Sequence, residues 1–373
     1  MLRKMIKYIF ISFIFTQIST NINAINEVIA TINVGVNPAG FAITSDGCFA
    51  YVTNSNNYGI TDGYTVNVLN LKNNTVEKTI SDPSFNEPYT VTINPAGTKA
   101  YVTNSNSTTV TIIDIASNNV IGVINGFDGP SGMAIDPSGN IAYVNNYGGP
   151  EGVESGNGTT VSVVNLNTNT IIDEITVGLA PAALAITPNG AFVYVINYVD
   201  GNPGNGLVSV IQTSNNKVIK YIRGFSGPFA IAITPNGKYA YITNFGSNNF
   251  NPIGTTVSVV DLNLNAITAT IDLGIQPSGI AITPDDRFAY VTNYNTLYSH
   301  PSNFTGLTPG QGTINIIDIA TNKVIPPIIA IGQSPHGITI SPNGKFAYTA
   351  NYTGNSISVV EICKKSKHAK KDH

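Results

Sequence analysis

One tetrapeptide, written seven times, limits what this chain can fold into. It stands at Tyr51-Val52-Thr53-Asn54, Tyr101-Val102-Thr103-Asn104, Tyr143-Val144-Asn145-Asn146, Tyr194-Val195-Ile196-Asn197, Tyr241-Ile242-Thr243-Asn244, Tyr290-Val291-Thr292-Asn293 and Tyr348-Thr349-Ala350-Asn351. Successive copies lie 50, 42, 51, 47, 49 and 58 residues apart. A recurrence in this range marks a solenoid, a propeller or an array of small sheets. A length of 373 residues would otherwise suggest two or three domains. A single repeat architecture absorbs all of it.

The sixth copy shows what one repeat builds. Pro277-Ser278-Gly279 opens it, and Ile280-Ala281-Ile282-Thr283 is a short apolar run, strand A. Pro284-Asp285-Asp286 is a turn in which proline pre-sets φ. Strand B is expected over 287–293, strand C over 313–319 and strand D over 323–331. Pro326-Pro327 confines strand D to an outer, edge-like place. No segment sustains a 3.6-residue period, so almost no helix is expected. Val257-Ser258-Val259-Val260 and Ile112-Ile113-Asp114-Ile115 are apolar on both faces, as in a sheet covered on both sides.

The centre of strand A is always small: Ala42, Thr92, Ala134, Ala185, Ala232, Ala281 and Thr339. Innermost strands that converge on an axis need such a taper. The last repeat supplies strands A, B and C and then stops, while a stray D-like strand, Glu27 to Ile32, precedes the first. That strand is expected to complete the last blade. The predicted fold is all-β: a seven-bladed β-propeller of four-stranded antiparallel blades, closed by the N-terminal strand.

The motif, its period and the Pro-x-Gly openings resemble the YVTN-repeat, YncE-like β-propeller family over residues 26–362. Relatives of that kind include exported nucleic-acid binders, archaeal surface-layer proteins and cofactor-associated periplasmic proteins. The resemblance implies export and binding and selects no ligand.

The ends agree with export. Arg3, Lys4 and Lys7 precede an apolar run from Tyr8 to Ile18, and Ala24 offers a cleavage point. Residues 1–24 are therefore expected to be a signal peptide, 25–363 the propeller and 364–373 a basic, disordered tail. The expected location is periplasmic, cell-surface or secreted, with no transmembrane segment once the signal is removed. Between leader and tail the chain has ten Lys and Arg against twenty Asp and Glu, a net of −10. Such a body repels phosphate backbones and makes nucleic acid a less expected partner. Cys48 and Cys363 are expected as two unpaired, partly buried thiols. If the ring makes their repeats neighbours, a bond between them is the other reading.

Positions that recur in every blade serve the blade, so departures are the better functional candidates. The Asn ending each motif is expected to hydrogen-bond locally. The other reading is a ring of amides at the channel mouth. The B–C connections vary from Ser105-Asn106-Ser107 to the long stretch containing His300 and Phe304. B–C and D–A connections emerge on one face, where long loops on a rigid scaffold carry binding. The residues after the D–A prolines differ from one another: Ala39, Tyr89, Ser131, Ala182, Phe229, Ser278 and His336. Aromatics follow the motif Asn in five blades: Tyr147, Tyr198, Phe245, Tyr294 and Tyr352.

The ligand-binding candidates are thus Tyr89, Ser131, Phe229, Ser278, His336, Tyr147, Tyr198, Phe245, Tyr294 and Tyr352. Aromatic faces with amides suit a protein, glycan or small-molecule partner, or stacked bases. The plainer reading is that the rings cover the mouth. No metal or cofactor is expected, although Asp200 and Asn202, with Glu151 and Glu154 alongside, form a candidate calcium loop. Two body histidines, no Trp, no CxxC and no HExxH leave little for catalysis. The leading expectation is an exported, monomeric, non-enzymatic binding or scaffold protein. The alternatives are a single-stranded nucleic-acid binder using the tail and rim aromatics, and a lactonase-type hydrolase with His336 in the funnel.

Overall fold

The computed structural model describes residues 26–55, 64–149, 156–199, 205–246, 253–294 and 310–362. The expected signal peptide and tail, Cys363, His300, Glu151, Glu154, Asp200 and Asn202 lie outside these residues. The described residues form seven four-stranded antiparallel sheets. Blade 1 runs from the axis outward as strands A to D: Pro38–Ile43, Phe49–Asn54, Thr65–Asn70 and Thr75–Ser81. Blades 2 to 6 repeat this order, so the fold is a seven-bladed β-propeller.

Blade 7 is closed from both ends of the chain. Its strands A, B and C are Pro335–Ile340, Phe346–Asn351 and Ser356–Glu361. Glu27–Asn33 pairs antiparallel with the last of these, setting Ile32 opposite Ile357. A side-chain bond shows how complete the mimicry is. Tyr194 Oη donates to Asn265 Oδ1 at 2.6 Å and Tyr241 Oη to Asn322 Oδ1 at 2.6 Å, each reaching the C–D turn of the next blade. Tyr290 Oη makes the same bond to Asn26 Oδ1 at 2.8 Å, although the chain is broken there.

The tetrapeptide works between blades. Its residues alternate across the sheet with the period of a strand. Tyr51 packs toward blade 2 with Ala100 and Val102, while Ala50 and Val52 pack toward blade 7 with Tyr348. Burying such a side chain contributes roughly 1.5–3 kcal/mol. The motif threonine staples the next blade: Thr53 Oγ1 donates to Tyr89 O at 2.8 Å and Thr243 Oγ1 to Ser278 O at 2.8 Å. The motif asparagine is fully buried and in six blades donates to strand C, as Asn244 does to Thr256 Oγ1 and Ser258 Oγ at 2.8 and 2.9 Å, while Asn197 Oδ1 accepts from Ser209 Oγ at 2.7 Å. These amides bind the blade together instead of ringing the mouth.

Two expectations change. The small centres of strand A face the next blade, not the axis. Ala42 packs beside Tyr51, and Thr92 Oγ1 donates to Met133 O of blade 3 at 3.0 Å. Convergence is felt two residues earlier, where a methyl group on Gly279 would lie 2.6 Å from His336 O and one on Gly337 2.7 Å from Ala39 O. Cys48 is a free thiol that is exposed, not partly buried, and stands just before strand B.

Every outermost strand also carries a β-bulge against strand C, between Val68 and Leu69 of its partner in blade 1, at the matching place in five other blades, and one pair earlier, between Ile314 and Ile316, in blade 6.

Candidate functional site at the channel mouth

Each D–A connection turns inward through one left-handed residue placed directly before the proline. Five of the seven are not glycine: Asn37, Glu87, Ala180, Gln276 and Ser334, with φ between 49° and 54°. Gly129 and Gly227 fill the other two places. L-residues enter this region at a cost of about 1–2 kcal/mol. The turn binds the two variable positions of a blade together. Gln276 O accepts from Tyr294 N at 2.9 Å, Gly227 O from Phe245 N at 2.9 Å and Ser334 O from Tyr352 N at 3.0 Å. The residue after the proline and the residue after the motif asparagine are therefore presented side by side in each blade.

The inner positions alternate in size in a way that fills the centre. Ala39, Ser131, Ala182 and Ser278 are small, and this leaves room for Tyr89, Phe229 and His336 from blades 2, 5 and 7. These three meet across the axis. Tyr89 Oη lies 3.1 Å from His336 Nε2, and the rings are edge-on with centroids 5.4 Å apart. Phe229 also meets the imidazole edge-on, at 5.1 Å between centroids. The aromatics of the outer positions continue the surface: Tyr352 is 5.6 Å from His336, Phe245 is 5.2 Å from Phe229, and Tyr294 is 5.9 Å from Phe245.

The plug closes the end of a channel of ≈ 220 Å³ whose wall is largely glycine, alanine and aliphatic side chains, among them Gly40, Gly132, Ala183, Ala230 and Leu184.

The environment is low in polarity and its titrations follow. Burial pulls the His336 imidazole down to about 4 and pushes the Tyr89 phenol far up. His336 is therefore neutral at pH 7, and its Nε2 shares a hydrogen bond with Tyr89 Oη. An imidazole held so far below its usual range is a poor general base. At the edge, burial raises the Glu87 carboxyl, opposed by a hydrogen bond from Ser105.

The candidates from the sequence divide into two groups. Tyr89, Phe229, His336, Phe245, Tyr294 and Tyr352 come together in one aromatic surface. Tyr198 stands beside them but is buried, donating to Gly246 O at 2.7 Å, and Tyr147 packs against Gly156 of its own loop. Ser131 and Ser278 are placed behind the mouth. Ser278 Oγ donates to Pro335 O at 2.7 Å, and Ser131 Oγ lies 3.3 Å from Pro181 O and Ala182 O. Their hydroxyls are used on the next blade. Glu87 was not among the candidates, yet it stands at the mouth two residues before Tyr89. Its signal was position alone, directly before a D–A proline. Among the described residues no three His, Cys, Asp or Glu gather as a metal site.

No family profile matches the chain. A stretch of 59 residues is 49% identical to the PE-PGRS family protein PE_PGRS18 of Mycobacterium tuberculosis, covering 16% of this chain and 13% of that protein. Among solved structures, Kuenenia stuttgartiensis hydrazine synthase superposes with a TM-score of 0.73 over 88% of this chain and 96% of that one, at 20% identity. At that identity the likeness is one of fold, and what the two share is the β-propeller.

Proposed function

We propose that the chain is an exported, non-enzymatic binding protein of the YVTN-repeat, YncE-like type, which engages its partner on the face formed by the B–C and D–A connections. One observation carries the reading. The positions at which the blades stop agreeing converge on a single aromatic surface, Tyr89, Phe229, His336, Phe245, Tyr294 and Tyr352. Side chains that served only the blade would recur in every blade. A binding role is favoured over hydrolysis because the one described histidine of the mouth is hydrogen-bonded to a tyrosine and has lost its basicity. Export rests on the leader-like residues 1–24.

A thermal-shift panel on the exported protein tests this, with glycans, peptides, small lactones and calcium as probes. A ligand at 100 times its dissociation constant adds about 2.7 kcal/mol. The shift produced by a true ligand is expected to vanish in Tyr294→Ala and Phe229→Ala and to survive in a rim variant such as Ile172→Ser. A shift that survives both mouth variants places binding elsewhere and ends the proposal.

A further inference from the structure

Two side-chain bonds recur at the seams between blades. The motif tyrosine reaches an asparagine in the next C–D turn, and the third motif residue, where it is threonine, reaches a carbonyl of the next strand A. Blade 1 makes both to its successor, from Tyr51 to Asn118 and from Thr53 to Tyr89 O. Blade 5 makes both as well, from Tyr241 to Asn322 and from Thr243 to Ser278 O. Blades 3, 4 and 6 keep the tyrosine bond, from Tyr143, Tyr194 and Tyr290. Blade 2 keeps the threonine bond, from Thr103 to Ser131 O at 3.1 Å.

Blade 7 makes neither to blade 1. Its third motif residue is Ala350, which has no hydroxyl to donate. Its tyrosine, Tyr348, leaves Asn74 Oδ1 of blade 1 buried without a hydrogen bond. The filling of this seam is apolar: Tyr348 stacks on Phe41 at 5.6 Å and packs with Ala50, Val52 and Leu69. A buried carbonyl left unpaired favours any motion that lets water reach it. Asn37, on the connecting turn, bonds to Asn355 and Tyr352 of blade 7 and to Ser55 of blade 1, so that turn is the pivot about which the two blades part.

One contact spans the seam from beyond it. His336 belongs to strand A of blade 7 and Tyr89 to strand A of blade 2, so the 3.1 Å bond between them passes blade 1, whose inner residue is the small Ala39. Blades 1 and 2 are held together by both recurrent bonds, and the contact ties blade 7 to that pair. We propose that the ring has a built-in opening between blade 7 and blade 1, and that the Tyr89–His336 contact is the clasp that keeps it shut. Opening the seam and dismantling the aromatic surface at the mouth are then one event, because Tyr89, Phe229 and Tyr352 all meet the His336 ring.

The test is thiol labelling of the full chain in a Cys48→Ser, Cys363→Ser background. Ala50, Ala100 and Ala289 are matched positions: each precedes a motif tyrosine, is fully buried and faces the preceding blade, at the 7–1, 1–2 and 5–6 seams. A cysteine at each position reports how often its seam opens. Ala50→Cys is expected to react at least about tenfold faster than Ala100→Cys or Ala289→Cys, with a weaker dependence on urea. Tyr89→Phe removes the hydroxyl of the clasp and is expected to quicken Ala50→Cys about threefold or more while leaving Ala289→Cys unchanged. Ala350→Thr supplies a hydroxyl toward Ala39 O, as Thr53 does toward Tyr89 O, and is expected to slow Ala50→Cys by a similar factor. Equal rates at the three seams, or a faster rate at another seam, overturn the opening. Indifference of Ala50→Cys to Tyr89→Phe overturns the clasp, and indifference to Ala350→Thr overturns the missing bond as its cause. Where an alanine variant melts early, Val52→Cys, Val102→Cys and Val291→Cys repeat the comparison at the same three seams.

Discussion

Tyr89 and His336 are 247 residues apart in the chain, and their side chains touch at 3.1 Å over the propeller axis. The contact joins blade 2 to blade 7 across the mouth, where neither neighbours the other around the ring. It exists because four of the seven inner positions are small.

Acid should weaken this protein through His336. Folding lowers its pKa to about 4 from an ordinary value near 6.5, so the unfolded chain binds a proton that the folded chain refuses. The stability from the neutral imidazole is complete above pH 6.5 and is lost as pH falls toward 4. Allowing for partial exposure, the loss at pH 4.5 is about 2 kcal/mol. Urea midpoints at pH 7 and 4.5 check this. His336→Gln should flatten the difference, and an equally steep loss in that variant would assign the acid sensitivity to other groups.

The N-terminal strand should behave as a structural latch. Ile32 is 4% exposed and packs with Ile357, Val359 and Leu69. Ile32→Ala is expected to cost about 2–4 kcal/mol. Hydrogen exchange should show the loss first in Ser356–Glu361, the strand it pairs with. Uniform loosening of all seven blades would contradict the latch.

Two glycines should respond in opposite ways to alanine. A methyl group on Gly40 would collide with the Tyr89 carbonyl oxygen of the next blade, and backbone cannot give way cheaply. Gly40→Ala is expected to cost about 1–3 kcal/mol. At Gly122, on an outermost strand, the nearest atom to a new methyl is Ile112 Cδ1 at 3.8 Å. Gly122→Ala should gain about 0.5–1 kcal/mol. Thermal melts of the two variants, measured side by side, decide it.

Glu87 should cost the fold some stability through its backbone. Its φ of 50° suits glycine, which two other blades have at this place. Glu87→Gly is expected to raise stability by about 1 kcal/mol. Thermal melts check this, and an unchanged or lower melting temperature in the variant would contradict the strain.

Much of the fold could be read from the chain because the repeat reports one local solution seven times. The closing strand was legible by subtraction, since blade 7 lacks its own strand D. The aromatic surface was legible in part, because proline and the motif asparagine mark where each variable residue begins. Ser131 and Ser278 could not be told from Tyr89 and Phe229 by position. Only the distance to the next blade shows that their hydroxyls reach its carbonyls. The left-handed residues were hidden because Asn, Glu, Ala, Gln and Ser share no property that announces positive φ. The small residues of strand A were legible as small, but the neighbour that makes them so is the adjacent blade.

Ring closure leaves seven outermost strands whose free backbone groups face solvent, and the bulge in each one bears on what happens between molecules. A strand bent by an extra residue cannot offer a straight run of donors and acceptors to a strand from another copy. At Ile121 and Ile172 large apolar side chains are 54% exposed on these same strands, an arrangement that would otherwise favour fibre growth. The irregularity repeated around the rim withholds that straight template on a chain poor in charge.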